Sequence, residues 1–216
     1  MVYGDQGAAF VLIQPVDDHD MEEMEQELAC IRESISAPFL LATVPVQNWN
    51  QDLSPWPAPP VFGKEGFGDG ASAFLRRIQE ETIPHLQKEH APLPQAKYIL
   101  GGYSLAGLFA LWACHTLAGF DGVAAASPSV WFPGFLAFAK EHPLQARAVY
   151  LSLGDREEKT RNPVMAQVGE CIRTLYAHYD AAPGLEAALE WNPGNHFRDA
   201  GLRTAKAFAW VMERLL

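Results

Sequence analysis

Short apolar runs alternate along the chain with segments in which apolar residues recur every three or four positions. The runs, each typical of a buried strand, cover residues 8–14, 39–44, 98–101, 121–126, 148–153 and 185–191. The periodic segments, each typical of an amphipathic helix, cover residues 20–35, 71–86, 105–112, 165–179 and 205–215. This alternation predicts an α/β fold, in which a mostly parallel central sheet carries helices on both faces.

The segment 45–70 departs from this alternation. It is rich in Pro, Gly, Asn and Trp and has no periodicity, so it predicts a long loop. Its aromatic side chains are expected to pack against the rest of the protein; they are Trp49, Trp56, Phe62 and Phe67. Elsewhere, Asp20 provides a capping signal for the first helix, and Pro84 is expected to kink the last turn of the second.

The strand that begins at Tyr98 runs into the segment GGYSLAG, residues 101–107, and a helical pattern follows. A serine between small residues at such a turn matches the G-x-S-x-G nucleophile elbow, which holds the hydroxyl at the carboxyl edge of a sheet. Ala106 occupies the fifth position of the motif, where a methyl group is the smallest replacement for glycine. Ser104 is therefore a candidate nucleophile, although a tight turn in any α/β domain could show the same pattern.

A serine hydroxyl needs a base to take its proton, and the base needs a carboxylate to orient it. Among the seven histidines, His196 follows the last predicted strand and precedes the final helix, which makes it the candidate base. The candidate acid follows the strand at residues 148–153, where Asp155, Glu157 and Glu158 are available. The order serine, acid, histidine is the chain order that accompanies this elbow.

Composition limits the possible partners. With 216 residues and 49% hydrophobic content, the chain is expected to form a single domain, residues 1–216. The formal net charge of −10 argues against nucleic acid or an anionic membrane as a partner. The first residues lack the features of an export signal, so a cytoplasmic location is expected. The three cysteines follow no metal-ligand spacing, and neither a metal nor an organic cofactor is implied.

Taken together, the segments GGYSLAG, SLGDREEKTRNP and NPGNHF resemble those of the esterase branch of the α/β hydrolases. This branch includes enterochelin esterase-like enzymes, S-formylglutathione hydrolases of the esterase D type and antigen-85-type mycolyltransferases. The resemblance implies an α/β-hydrolase fold and places the acid three residues after the strand-end glycine, at Glu157, with Asp155 as the alternative. It also implies that residues 52–55 form an active-site wall and that Ser129 and Trp131 line the cleft.

Two departures from the family pattern are Ala106 in the elbow and the shortness of the chain. The shortness predicts an abbreviated fold with no cap domain and little room for the antiparallel strands that often begin it. An abbreviated fold suggests an open cleft. Because iron-bound siderophores are strongly anionic, they are disfavoured as substrates by the few cations among the cleft candidates, which are Lys64, Arg156, Arg161 and Arg198.

The sequence thus predicts a serine esterase that hydrolyses small, uncharged or aromatic carboxylic esters through an acyl-enzyme on Ser104. The backbone N–H of Leu105 is the first expected oxyanion donor, and Val46 or Gln47 is the second. The apolar walls are expected to come from aromatic side chains that could equally be core residues, namely Trp49, Trp56, Trp131 and Phe197. Two alternatives remain open: acyl transfer through the same triad, and a non-catalytic binding protein that keeps the fold.

Overall fold

The computed structural model describes residues 1–4, 6–61 and 63–216, so the expectation that Phe62 is buried lies outside the described residues. Within them, seven strands form one sheet in the order β1-β3-β2-β4-β5-β6-β7. The strands are β1 (Val2–Gly4), β2 (Phe10–Val16), β3 (Phe39–Pro45), β4 (Lys97–Tyr103), β5 (Gly122–Ala126), β6 (Ala148–Gly154) and β7 (Glu186–Asn192).

The α-helices alternate with these strands as predicted. They are α1 (Asp18–Ser34), α2 (Trp49–Asp52), α3 (Ala71–Arg77), α4 (Ile83–Glu89), α5 (Ser104–Thr116), α6 (Phe135–Glu141), α7 (Val168–Asp180) and α8 (Ala200–Leu215). A π-helical segment (Ile78–Thr82) joins α3 to α4, and two short 3₁₀ segments (Glu157–Lys159 and Met165–Gln167) lie between β6 and α7. The short helices α2 and α6 carry too few turns to give a periodic signal, and the sequence pattern did not predict them.

The sheet is parallel from β3 to β7, and β1 pairs with β3 in the antiparallel direction. The length of the chain predicts little room for antiparallel strands at its start, and β1 is the one such strand among the described residues. Only three residues form this strand, in register with Leu40, Leu41 and Ala42. A strand of that length is held by its neighbour's backbone and leaves no readable alternation in the sequence.

Two apolar cores lie on opposite faces of the sheet. Alternate residues of β2 point to opposite sides, so that Phe10 and Leu12 join the core under α1 and α8. Val11 and Ile13 join the core under α5 and α7. Because both faces are covered, the inner strands are mostly apolar, and the loops at the edge where the strands end are left to carry polar side chains.

The residue that caps the first helix, Asp17, lies three positions before the predicted capping signal at Asp20. The Asp17 side chain accepts a hydrogen bond from the Asp20 N–H at 2.9 Å, and the Asp20 carboxylate accepts one from the Asp17 N–H at 3.0 Å. This reciprocal capping box fixes the start of α1 at Asp18. Several capping residues stand in succession here, so the sequence alone did not fix which one caps the helix.

The segment 45–70 is largely irregular, as predicted, apart from α2 and one antiparallel bridge between Ala58 and Phe67. The expected disturbance at Pro84 takes the form of the π-helical segment immediately before α4, with Pro84 in the first turn of that helix. Proline supplies no N–H and its ring crowds the preceding turn, and a wider turn accommodates both effects.

A carboxyl group is buried where α1 packs on β2. The Glu27 side chain is 1% exposed and accepts a hydrogen bond from Gln14 Nε2 at 3.3 Å. Among the described residues, Gln14 Oε1 and Glu27 Oε1 have no hydrogen-bond partner. Burial raises the pKa of Glu27 to about 8 despite the Gln14 hydrogen bond, and the carboxylates of Asp20 and Glu23 add to the increase. Glu27 is therefore a neutral acid in the folded protein at pH 7.

This protonation predicts a pH-dependent loss of stability. The pKa of Glu27 rises from an ordinary 4.5 to about 8 on folding. The contribution of its protonation to the free energy of unfolding is therefore fully present below pH 4.5 and is lost as pH rises through about 8. Replacing Glu27→Gln should remove this loss. Between about pH 5 and pH 8, the free energy of unfolding of the variant should therefore rise relative to that of the wild type by a few kcal/mol, in order of magnitude. Urea unfolding at several pH values measures the difference.

The control is Glu25→Gln, because Glu25 lies on the exposed face of the same helix. It should leave the pH dependence of unfolding as it is in the wild type. An identical pH dependence in the wild type and in Glu27→Gln would contradict the assignment of a buried neutral acid.

Candidate active site

Ser104 lies at the carboxyl end of β4 and is the first residue of α5. Its φ of 56° falls in the left-handed region that a serine seldom occupies, so the turn is strained. The turn is tight because Gly102 has no side chain, and a Cβ atom there would stand 2.7 Å from Ala106 Cβ. The small residues around Ser104 thus allow the sharp reversal, and the methyl group of Ala106 fits only because position 102 is glycine.

The structure brings Ser104, His196 and Glu157 together from three separate segments. Ser104 Oγ lies 2.9 Å from His196 Nε2, and His196 Nδ1 lies 2.7 Å from Glu157 Oε2. The imidazole ring therefore connects the hydroxyl to the carboxylate through its two nitrogen atoms. This is the geometry in which a carboxylate orients a base and the base accepts a serine proton.

The Glu157 carboxylate is 8% exposed, and its two oxygens have different partners. Oε1 accepts hydrogen bonds from the Gly154 N–H at 2.7 Å and from the Ser127 hydroxyl at 2.8 Å, while Oε2 faces His196. Burial by itself raises the pKa of Glu157, but the hydrogen bond and charge of His196 and the hydrogen bonds from Gly154 and Ser127 outweigh it and lower the pKa below its ordinary value. Glu157 is thus held as a carboxylate facing the imidazole.

Asp155, the alternative acid, has a different contact. Its Oδ1 accepts a hydrogen bond from the Gly194 N–H at 2.8 Å, two residues before His196. The backbone N–H of Asp155 in turn donates to the Asn192 carbonyl at 2.8 Å. Asp155 therefore holds the loop that carries His196 through hydrogen bonds, whereas Glu157 contacts the imidazole itself.

Three further residues contact the triad, and the sequence analysis assigned no function to them. The Tyr103 hydroxyl donates to the His196 carbonyl at 2.7 Å. Ser127 bonds Glu157, and Arg203 forms an ion pair with Glu157 Oε1 at 3.0 Å. Arg203 stands among buried apolar residues of α8, and an arginine in such a setting must find acceptors. That pattern was the one available sequence signal.

An aromatic cleft opens beside Ser104, with a volume of about 460 Å³. Its lining includes the four predicted residues Trp49, Ser129, Trp131 and Phe197, together with Ser104 itself. Ser129 Oγ lies 3.3 Å from Ser104 Oγ. Sequence analysis assigned no role in the cleft to the other lining residues, which include Asn50, Phe67, Thr160 and Met165.

Two predicted wall elements lie elsewhere. The Trp56 indole N–H donates to the Pro133 carbonyl at 2.8 Å, and its ring packs against Phe132 and Phe138, so Trp56 belongs to the core under the loop. The segment 52–55 does not line the cleft either; the preceding residues Trp49 and Asn50 do. The wall expected from residues 52–55 is therefore displaced to the start of α2, and Trp56 is corrected to a packing residue.

One predicted oxyanion donor is compatible with the structure, and the other is not. Leu105 is the second residue of α5, where a backbone N–H has no acceptor within its own helix. The Val46 N–H donates to the Val16 carbonyl at 3.0 Å and is therefore unavailable. The assignment of Val46 was wrong because β2, and not β3, lies next to β4 in the sheet. Gln47 likewise lines no described cavity that contains Ser104.

Two smaller recesses adjoin the aromatic cleft at His196 and Phe197. The basic recess, of about 260 Å³, is lined by Arg156 and Lys159 as well as by the triad residues Glu157 and His196. The acidic recess, of about 150 Å³, reaches Ser104 and is lined by Asp17, His19 and Asp20 from the start of α1. Burial raises the pKa of Asp20 to about 7, so this recess carries less negative charge than its composition implies.

A larger groove of about 900 Å³ lies between β3 and the π-helical segment, and its lining contains no triad residue. We therefore place the site at the smaller aromatic cleft, where the three groups meet. In the part of the chain that the structure describes, no cluster of three or more His, Cys, Asp or Glu side chains could hold a metal ion. No helix among those residues is long and apolar enough to cross a membrane.

No family model and no curated protein matches this chain, but solved structures do. A siderophore hydrolase, EstA from Aspergillus nidulans, superposes with a TM-score of 0.74 at 21% identity, over 99% of this chain and 89% of its own. An IroE-like serine hydrolase from Shewanella oneidensis superposes with a TM-score of 0.76 at 16% identity. The match covers 97% of this chain and 73% of that protein.

The siderophore hydrolase EstB from Aspergillus nidulans superposes with a TM-score of 0.75 at 18% identity. The match covers 96% of this chain and 84% of that protein. These similarities concern the whole sheet and its helices. The described residues form no cap domain over that sheet, in agreement with the prediction from chain length. The chain has the α/β-hydrolase fold that its sequence pattern and motifs predicted.

Proposed function

We propose that this protein is a serine esterase that cleaves carboxylic esters through an acyl-enzyme on Ser104. The observation that carries the proposal is the pair of hydrogen bonds through His196, at 2.9 Å to Ser104 Oγ and 2.7 Å to Glu157 Oε2. The names of the structural neighbours, two siderophore hydrolases and a serine hydrolase, support hydrolytic chemistry on this fold. An intact and connected triad argues against the alternative of a non-catalytic binding protein.

In the first half of the reaction, Ser104 Oγ attacks the ester carbonyl as its proton passes to His196 Nε2. The resulting imidazolium is stabilised by Glu157 Oε2, and it gives the proton to the departing alkoxide as the carbon–oxygen bond breaks. In the second half, water loses a proton to His196 and attacks the acyl carbon. Ser104 leaves with that proton, and the carboxylic acid is released.

The tetrahedral oxygen needs two donors, and we propose that the first turn of α1 supplies the second one. This turn follows β2, the neighbour of β4, and lines the acidic recess that contains Ser104. The amides of Asp17 and Asp20 are used within the capping box, whereas those of Asp18 and His19 have no acceptor inside the helix. The Leu105 N–H is the first donor, at the start of α5.

The lining of the cleft supports an apolar or aromatic group next to the scissile bond. Trp49, Trp131 and Phe67 present their rings to a volume of about 460 Å³, which suits a small ester. Phe197, at the rim, is 84% exposed, so the rim of the cleft faces bulk water. Ready access of water favours hydrolysis over transfer of the acyl group to another alcohol.

A second candidate substrate class is an anionic ester of the siderophore type. It is favoured by Arg156 and Lys159 in the basic recess beside His196 and by the names of the structural neighbours. Lys64, Arg161 and Arg198 do not line this recess. The sequence argument against an anionic substrate considered only how few cations there are, and their placement weakens it.

The first prediction about the proposed reaction concerns the nucleophile. Replacing Ser104→Ala should lower turnover of an activated aryl ester by roughly a million-fold, because no acyl-enzyme can form. It should also abolish labelling by a fluorophosphonate, read by mass spectrometry. Ser72→Ala is the matched control, since Ser72 is exposed on α3, and it should retain full activity. Retained turnover in Ser104→Ala would exclude the mechanism.

The second prediction separates the two candidate acids. Glu157→Gln should lower kcat by roughly a thousand-fold or more, because the amide no longer stabilises the imidazolium. Asp155→Asn keeps an oxygen that can accept the Gly194 N–H and should lose less than about tenfold. Steady-state kinetics on both variants measure the difference, and the reverse order of effects would make Asp155 the acid.

The third prediction concerns charge selectivity. The double variant Arg156→Gln, Lys159→Gln should lower kcat/KM for an ester with an anionic alcohol group by about fivefold to thirtyfold. It should leave a neutral ester of the same shape unchanged, and added salt should reduce the difference. Arg161→Gln, in the same loop but outside the recess, is the control. Equal effects on the neutral and anionic esters would rule out a basic subsite.

A further inference from the structure

Arg203 touches every segment that carries a triad residue. Its guanidinium is 2% exposed and lies in the first turns of α8, behind the triad. Nη1 donates to Glu157 Oε1 at 3.0 Å, to the Tyr103 hydroxyl at 3.0 Å and to Ser127 Oγ at 3.3 Å. Nη2 donates to the backbone carbonyls of Pro193 and Asn195, each at 3.1 Å.

These contacts divide into two groups. The two carbonyls belong to the loop between β7 and α8, and Asn195 directly precedes His196. The same loop is held by the Tyr103 hydroxyl, which receives a bond from Arg203 and donates to the His196 carbonyl. Arg203 therefore holds the backbone just before the base directly, and it holds the carbonyl of the base itself through the Tyr103 hydroxyl. A guanidinium can do this because its five N–H groups point in fixed directions.

The remaining contacts concern the charge of the acid. The pKa of Glu157 lies below its ordinary value, so this nearly buried side chain carries a negative charge that needs compensation. Arg203 supplies the compensating positive charge, at the oxygen that His196 does not use. Oε2 remains free to bind the imidazole. The positive charge of Arg203 weakens the attraction between Glu157 and the imidazolium form of His196.

We propose that Arg203 is a positioning residue of the triad, which sets both the orientation of His196 and the strength of the Glu157 interaction with its protonated form. This inference rests on the proposed function, because it concerns the same site. Arg203 touches no space open to substrate in any described cavity, so it acts only through Glu157 and the His196 loop.

The test compares Arg203→Met, Arg203→Lys and the wild type by the rate of fluorophosphonate labelling as a function of pH. The Met variant should label roughly 100-fold more slowly per folded molecule, because the base is no longer held in place. The midpoint of its acid limb should move to higher pH by about half a unit or more, because a cation beside the carboxylate is gone. The Lys variant keeps the charge but not the five donors, so it should label slowly with a midpoint near that of the wild type.

Arg198→Met is the matched control, because Arg198 lies in the same loop, is exposed and pairs with Asp199. It removes the same charge and should change neither the rate nor the midpoint. Thermal melting establishes the folded fraction of each variant. If the Met variant does not fold, the Lys variant provides the test. Labelling of Arg203→Lys at the wild-type rate would overturn the proposal.

A folded Met variant with an unchanged rate or an unchanged midpoint also overturns the proposal. A proton NMR readout separates this outcome from failure of the proposed function. The low-field signal of the His196 Nδ1 proton, bonded to Glu157, should be present in the wild type and the Lys variant and lost or shifted in the Met variant. An unlabelled wild type would reject the esterase proposal, while this signal would still decide the role of Arg203.

Discussion

The site depends on keeping one buried carboxylate ionised. Glu157 is almost removed from water, and a charge in such a place persists only where donors surround it. The donors come from the end of β6, the turn after β5 and the start of α8, so three separate parts of the fold must meet for this carboxyl group to stay ionised. The chemistry and the tertiary structure are therefore inseparable here.

The parallel sheet makes this meeting possible. All strands from β2 to β7 run in the same direction, and their carboxyl ends lie along one edge. Ser104 follows β4, Ser127 follows β5, Glu157 follows β6 and His196 follows β7. Four consecutive strands thus deliver four polar groups to one place, while apolar residues fill both faces of the sheet behind them.

Much of this could be predicted from sequence because the signals were local. Small residues around Ser104 indicate the elbow. The alternation of apolar runs with periodic segments predicts the sheet and its helices. The order of neighbouring strands is not local, so the sequence suggests Val46 as a neighbour of Ser104, whereas β2 lies between β3 and β4. Trp56 was misplaced because an indole in a loop can pack inward or line a cleft, and composition does not distinguish the two. The side-chain contacts of Arg203 join residues 46 to 100 positions apart and leave no pattern in the chain.

The exposed ring of Phe197 has a consequence for the size of the substrate. No described segment closes over the rim where this ring stands, so only the portion of an ester next to its carbonyl must fit inside. The remainder can extend into solvent without steric penalty. In the proposed reaction, a molecule much bulkier than the cleft, such as a macrocycle or an oligomer with several ester links, would present one bond at a time to Ser104.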